Sequence, residues 1–196
     1  MEDAQHLIQG RSGKTVSDIE SIASRTAAGI ALAYRSGEAG PVEVTECLLS
    51  RIEKSMGDHV FLEVTADRAL KEARASAERH RSGRPLSLLD GVPVAWKDIF
   101  GVAGARTTAG SALFRGSAPD TDDIRCVSNA VAAGSVTIGK LNMTELAFSG
   151  LGLNPHFGTA LNPNDRDTPR SPGGSSSGSG AAVAARLVPI AIGSDT

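Results

Sequence analysis

At 196 residues, 40% hydrophobic and 21% charged, the chain is long enough for one ordinary domain with a sizeable core. Its net charge of −2 gives no electrostatic reason to bind nucleic acid or a membrane surface, and no apolar run approaches a membrane span. Cys47 and Cys126 are too few and too separated for a disulfide framework or a metal site. Residues 1–6 lack a basic or apolar leader, so a reducing, cytoplasmic setting is expected.

Residues 1–15 read as a loose arm. Ser17-Asp18-Ile19-Glu20 has the form of a capping box, and Ile19, Ile22, Ala23, Ala27, Ile30 and Ala31 mark one helical face to about Tyr34. Gly40-Pro41 resets the chain, with the proline near a helix start, and Val44, Cys47, Leu48, Ile52 and Met56 form a second stripe. Cys47 belongs to the core on this reading. Phe61 to Val64 is a candidate short strand. Ala66 to about Arg81 predicts a third helix, with Ala69, Leu70, Ala73 and Ala77 inward and its many charges on a solvated face.

From Leu89 the pattern changes. A strand over Val92 to Trp96 ends at Lys97, Ile124 to Ala132 predicts a helix, and Ser135 to Gly139 a strand. This alternation is of the α/β kind, a mixed β-sheet flanked by helices. Asn142-Met143-Thr144-Glu145 reads as a cap opening a short helix through Ala147. Three X-Pro steps, at 155, 163 and 169, then punctuate a long loop. The change near residue 90 separates a helical layer, 16–85, from a sheet and site region, 86–196, within one domain.

Two stretches carry candidate chemistry. Ser171-Pro172-Gly173-Gly174-Ser175-Ser176-Ser177-Gly178-Ser179-Gly180 runs straight into an apolar segment that reads as a helix and a strand. Such Gly and Ser density also suits a flexible linker, but placement at a strand-to-helix turn points to close backbone approach to a ligand. No Lys-Ser/Thr pair follows the glycines, as a nucleotide P-loop requires. The other is Gly91-Val92-Pro93-Val94-Ala95-Trp96-Lys97-Asp98. A strand-end lysine is commonly a solvated charge, yet burial would leave a neutral amine able to act as a base. Hydroxyls of the serine turn would be its targets, the Ser-Lys variant of nucleophilic catalysis. The histidines at 6, 59, 80 and 156 show no metal-ligand spacing.

Gly91-Val92-Pro93 through Lys97-Asp98, Thr107-Thr108-Ala109-Gly110-Ser111, Gly139-Lys140-Leu141-Asn142-Met143-Thr144-Glu145-Leu146-Ala147, Gly173-Gly174-Ser175-Ser176-Ser177-Gly178-Ser179 and Gly193-Ser194-Asp195-Thr196 together resemble the amidase signature family. The blocks occur in family order over about the last half of the chain. The resemblance implies the amidase signature fold, here incomplete, so that 1–196 is the N-terminal portion of a single amidase domain. It also implies a Ser–cis-Ser–Lys triad in which Lys97 is the catalytic lysine and Ser175 the bridging cis serine. Family spacing places that serine twenty positions before the aspartate, here Asp195, which selects Ser175 over Ser176 and Ser177. The nucleophilic serine is expected three positions past Thr196. Lys97 and Ser175 should therefore meet in space, with Ser175, Ser176 and Ser177 the only hydroxyls near the base.

The implied reaction is hydrolysis of a carboxamide to acid and ammonia or amine through an acyl-enzyme, without metal or organic cofactor. Backbone N–H groups around Thr196 would form the oxyanion site, and Phe148 and Ser149 would lie beside the substrate. Phe148 is read equally well as core packing. The expected partner is a small-molecule amide, with no nucleic acid bound directly and no membrane; a homodimer is left open. The family also contains the glutaminase subunit of a tRNA-dependent amidotransferase, which carries Ser/Thr-Thr-Glu-Asn after its Asn-Met block. Here that region reads Ser149-Gly150-Leu151-Gly152-Leu153-Asn154, without the glutamate and with two leucines, which favours a stand-alone amidase. A non-catalytic truncated remnant is the competing expectation for the 196 residues by themselves.

Overall fold

The computed structural model describes residues 15–165 and 167–195. The loose arm read at 1–15 falls, except for Thr15, outside the described residues.

The first predicted helix is two helices, α1 (Val16–Ala23) and α2 (Ala27–Ser36). The capping box is built on Thr15 rather than Ser17: Thr15 N–H donates to the Asp18 carboxylate at 2.9 Å, and Asp18 N–H donates back to Thr15 Oγ1 at 3.3 Å. The break has a local cause. Ser24 Oγ donates to the Glu20 carbonyl at 2.8 Å, and Thr26 Oγ1 accepts from Gly29 N–H at 3.2 Å, so one hydroxyl ends α1 and the other starts α2. Helix α3 (Pro41–Lys54) begins with its proline at the first turn and Glu43 accepting from Gly40 N–H at 2.7 Å. Ile22, Ile30, Tyr34, Val44 and Leu48 form a shared core closed by Val92. Cys47 is half-buried at its margin.

The sheet holds β1 (Phe61–Val64), β2 (Pro93–Lys97), β3 (Val136–Leu141) and β4 (Ile190–Ile192) in the order β1-β3-β2-β4. β1 is antiparallel to β3, while β2 is parallel to both β3 and β4, which is the mixed sheet the sequence predicts. Helices α4 (Ala66–Arg81), α5 (Arg125–Ala132) and α6 (Ser177–Ala184) complete the fold. Ala95, Val136, Ile138 and Leu141 pack with residues of α3, α4 and α6. Val94 and Trp96 lie on the opposite face with Val127 of α5. Strand alternation puts Lys97 on the Ala95 side, towards α6. β3 extends beyond its predicted end at Gly139, and Lys140 and Leu141 pair with Trp96 and Lys97.

The charges of α4 are only partly a solvated face. Arg68 makes two 2.7 Å bonds to Asp123 and one of 2.8 Å to Glu72; Arg79 grips Asp90 at 2.7 and 2.6 Å. Asp90 is buried just before the Gly91 turn into β2, so α4 fixes the approach to the strand that ends at Lys97. Among the described residues no helix is long and apolar enough to cross a membrane.

Candidate active site

Lys97 ends β2 fully buried, and its amine reaches two hydroxyls: Ser175 Oγ at 2.6 Å and Ser194 Oγ at 2.8 Å. Burial lowers the amine's proton affinity below the ordinary lysine range. The expected meeting of Lys97 and Ser175 across the chain is present.

Ser175 sits in a tightly held turn, and the Gly174–Ser175 peptide bond is cis. Its carbonyl accepts from Thr144 N–H at 2.9 Å, and Gly174 N–H donates to the Gly150 carbonyl at 2.8 Å. Glycine is required in this clamp, since a Cβ at Gly174 would meet Gly152 Cα at 2.7 Å. The same holds at Gly178 in the first turn of α6, where a Cβ would lie 2.5 Å from Asn142 N and 2.7 Å from the Val60 carbonyl. Hydroxyls at the start of α6 staple the end of β4: Ser176 Oγ, just before the helix, accepts from Ser194 N–H at 3.2 Å, and Ser179 Oγ donates to the Ile192 carbonyl at 3.1 Å.

The expected set of hydroxyls needs correction. Ser194 is beside the lysine, whereas Ser176 is directed at the backbone of Ser194 and the buried Ser177 hydroxyl has no hydrogen-bond partner among the described residues. Parallel pairing of β2 with β4 delivers residue 194 there; the signal in the sequence was a serine just beyond a strand in the Gly193-Ser194-Asp195 block. The cap expected at Asn142 is also different. Its amide donates to the carbonyls of His59 and Gly158, both at 2.8 Å, joining two loops instead of starting a helix. Glu145–Ala147 is a single 3-10 turn with Leu146 and Ala147 at positive φ.

Among the described residues Phe148 is 93% exposed. With Thr144, Glu145, Leu146, Leu153 and Pro155 it lines a cleft of about 410 Å³, joined to the serine turn through the Thr144–Ser175 bond. Ser149 is turned inward on its own loop, Oγ accepting from Leu151 N–H at 3.2 Å, and does not line that cleft. A larger cavity of about 890 Å³ lies on the Trp96 face, away from the lysine, with an almost wholly apolar lining. Thr196 falls outside the described residues. Among those residues no group of three or more His, Cys, Asp or Glu could hold a metal ion.

The family model for amidases matches residues 43–196, from α3 through the whole sheet and both site stretches. The chain belongs to the amidase family. It is 44% identical over 177 residues to a glutamyl-tRNA(Gln) amidotransferase subunit of Cupriavidus necator, a match covering 90% of this chain and 34% of the relative. It superposes on the native peptide amidase of Stenotrophomonas maltophilia with a TM-score of 0.76 at 34% identity, over 86% of this chain and 36% of that one. A structure described as a vestigial protein complex that reveals the origins of an s-triazine catabolic enzyme matches with a TM-score of 0.82 at 38% identity, over 88% and 37% of the two chains. The chain thus spans about a third of the length of the curated relatives it matches. Within the amidase fold it is the N-terminal portion, and its mixed sheet is the expected architecture.

Proposed function

We propose that this chain supplies two members of a Ser–cis-Ser–Lys triad in an amidase that hydrolyses a carboxamide C–N bond to acid and ammonia or amine. The observation that carries this reading is the 2.6 Å contact between the buried Lys97 amine and Ser175 Oγ. A neutral amine has two N–H donors and one lone pair. It can donate to Ser194 and still accept the proton of Ser175; an ammonium can only donate. The depressed proton affinity of Lys97 favours the form able to accept.

In the reaction Lys97 takes the proton of Ser175, and Ser175 takes that of the attacking serine, expected three positions past Thr196. The new C–O bond gives a tetrahedral oxyanion. Return of the proton through Ser175 to the leaving nitrogen breaks the C–N bond and leaves the acyl-enzyme. Water then repeats the relay and releases the acid. Backbone donors near Thr196 would hold the oxyanion, each worth about 3–4 kcal/mol.

The largely apolar cleft that Thr144 joins to the Ser175 turn supports small or aryl primary amides as substrates. Leu153, 52% exposed, lines it together with Leu146 and Phe148. A second reading, glutaminase subunit of a tRNA-dependent amidotransferase, is favoured by the 44% identity to the amidotransferase relative in Cupriavidus necator. Ammonia release from benzamide and from glutamine, by the chain continued to the length of its relatives, tests both. Turnover of benzamide without partner proteins is expected. Turnover of glutamine alone, and only with further subunits and tRNA, would establish the second reading instead.

A further inference from the structure

A second lysine is as buried as the first and is not used by the triad. Lys140 on β3 is fully buried, as is the Asp98 carboxylate that it meets at 2.9 Å. Its other donors go to Thr107 Oγ1 at 2.7 Å and the Arg106 carbonyl at 3.3 Å. All three donors of Lys140 are thus satisfied, one of them in an ion pair with a buried carboxylate.

Asp98 has evident work of its own. Its Oδ2 accepts from Thr108 N–H at 3.0 Å, from Thr108 Oγ1 and from Gly110 N–H at 3.4 Å, while its carbonyl accepts from Ala109 N–H at 3.0 Å. The turn so anchored continues the network: the Ala109 carbonyl accepts from Leu146 N–H at 2.8 Å, and Ser111 Oγ donates to Glu145 at 2.7 Å. The carboxylate thus fastens the cleft-forming loop to the end of β2. It does so from the residue next to Lys97, where an uncompensated anion would favour the protonated amine.

We propose that Lys140 is a positioning residue for the base: by pairing with Asp98 it cancels the charge this carboxylate would otherwise impose on Lys97. The loop is then anchored by an anion without the base being held as an ammonium. The inference rests on Lys97 acting as the base. The charged groups on elements packed around it are Asp98 and Arg106 after β2, Lys140 on β3, Glu63 on β1, Arg68 and Glu72 on α4, Glu145 on the cleft loop and Asp195 after β4; α6 contributes none. Of these, Asp98 adjoins Lys97 in sequence, and Lys140 is bonded to Asp98.

Lysine-labelled NMR titration reads the effect without needing catalysis, since the chain has only five lysines. Lys140→Met is expected to move the Lys97 titration up by about one pH unit and Asp98→Asn down by a similar amount, with the double variant returning to the parent value. Lys140→Met leaves Asp98 its three loop donors, which favours retention of the fold; circular dichroism checks it. Should a single variant unfold, the double variant decides: titration at the parent value supports cancellation, and displacement by half a unit or more overturns it. Singles that leave Lys97 unmoved, or move it in the same direction, also overturn the inference. The amidase reading would survive such a result, because it stands or falls on ammonia release.

Discussion

Lys97 and Ser175 are 78 positions apart in the chain and 2.6 Å apart in space. Three features bring them together: the alternation of β2, which turns Lys97 towards α6; the Thr144 and Gly150 bonds that hold the serine turn; and the glycine at 178 that lets α6 start against β3. In the active amidase, Lys97→Ala is expected to lower kcat/KM by roughly 10²–10⁴-fold, and Lys97→Arg to be as damaging because guanidinium stays protonated. Rates should fall on the acid side as the amine of Lys97 takes a proton. A pH–rate profile of the parent without that limb would contradict its role as base.

The same burial has a consequence for stability. The folded amine binds a proton less readily than the unfolded one, whose ordinary value is 10.5. Below the folded value both states are protonated and the full cost of burying the charge is present; as pH rises towards 10.5 the unfolded chain holds more protons, and stability increases. Lys97→Met removes that dependence. Its melting temperature relative to the parent should therefore be most favourable near neutral pH and least so by about pH 10.5. Thermal melts across that range decide it, and a relative gain growing with pH would contradict a lowered proton affinity in the folded state.

Ser194 was hidden in the sequence by its neighbours. The Gly193-Ser194-Asp195 block was visible, but only the parallel β2–β4 register shows that its hydroxyl lies at the base. Ser194→Ala should lower kcat/KM by roughly tenfold, the scale of one hydrogen bond of about 1.4 kcal/mol, with Ser175→Ala far more severe. Steady-state kinetics on both variants separate a hydrogen-bond partner from a relay group. Equal losses would place Ser194 in the relay itself.

What could be read in the sequence was what local pattern controls. Helix α4, bounded by its alanine-and-charge periodicity, and β2, ending at Lys97, came from residues a few positions apart. What could not be read was set by distant partners. Asn142 looked like a cap because caps and loop ties use the same amide; His59 and Gly158, which it bonds, are far along the chain. Arg68 looked solvated until Asp123 came opposite it, and Lys140 was a motif residue without a role until Asp98 was found beneath it.

Phe148, in contrast, has little to touch among the described residues. At 93% exposure, its replacement by alanine should change stability by no more than about 0.5 kcal/mol. If it forms the substrate-facing rim of the cleft, Phe148→Ala should raise KM for benzamide several-fold and leave acetamide turnover nearly unchanged. Paired kinetics on the two amides test this. An equal change for both would remove Phe148 from acyl recognition.

The base and the nucleophile are separable by experiment. The 196-residue chain should release no ammonia above background from a simple amide, although two serine hydroxyls lie against Lys97. Ser175 and Ser194 both contact the same amine, so attack by either would use the hydrogen bond that the relay needs. Fusing the remaining two thirds of an amidase fold after Thr196 should restore turnover. In that fusion Lys97→Ala and Ser175→Ala should each abolish it, Ser194→Ala reduce it, and Ser177→Ala be milder than Ser175→Ala. The assay is ammonia release by both proteins under identical conditions, with mass spectrometry for a trapped acyl group. Robust turnover by the short chain, with the acyl group on Ser175 or Ser194, would reassign the nucleophile to that residue and overturn the three-residue relay.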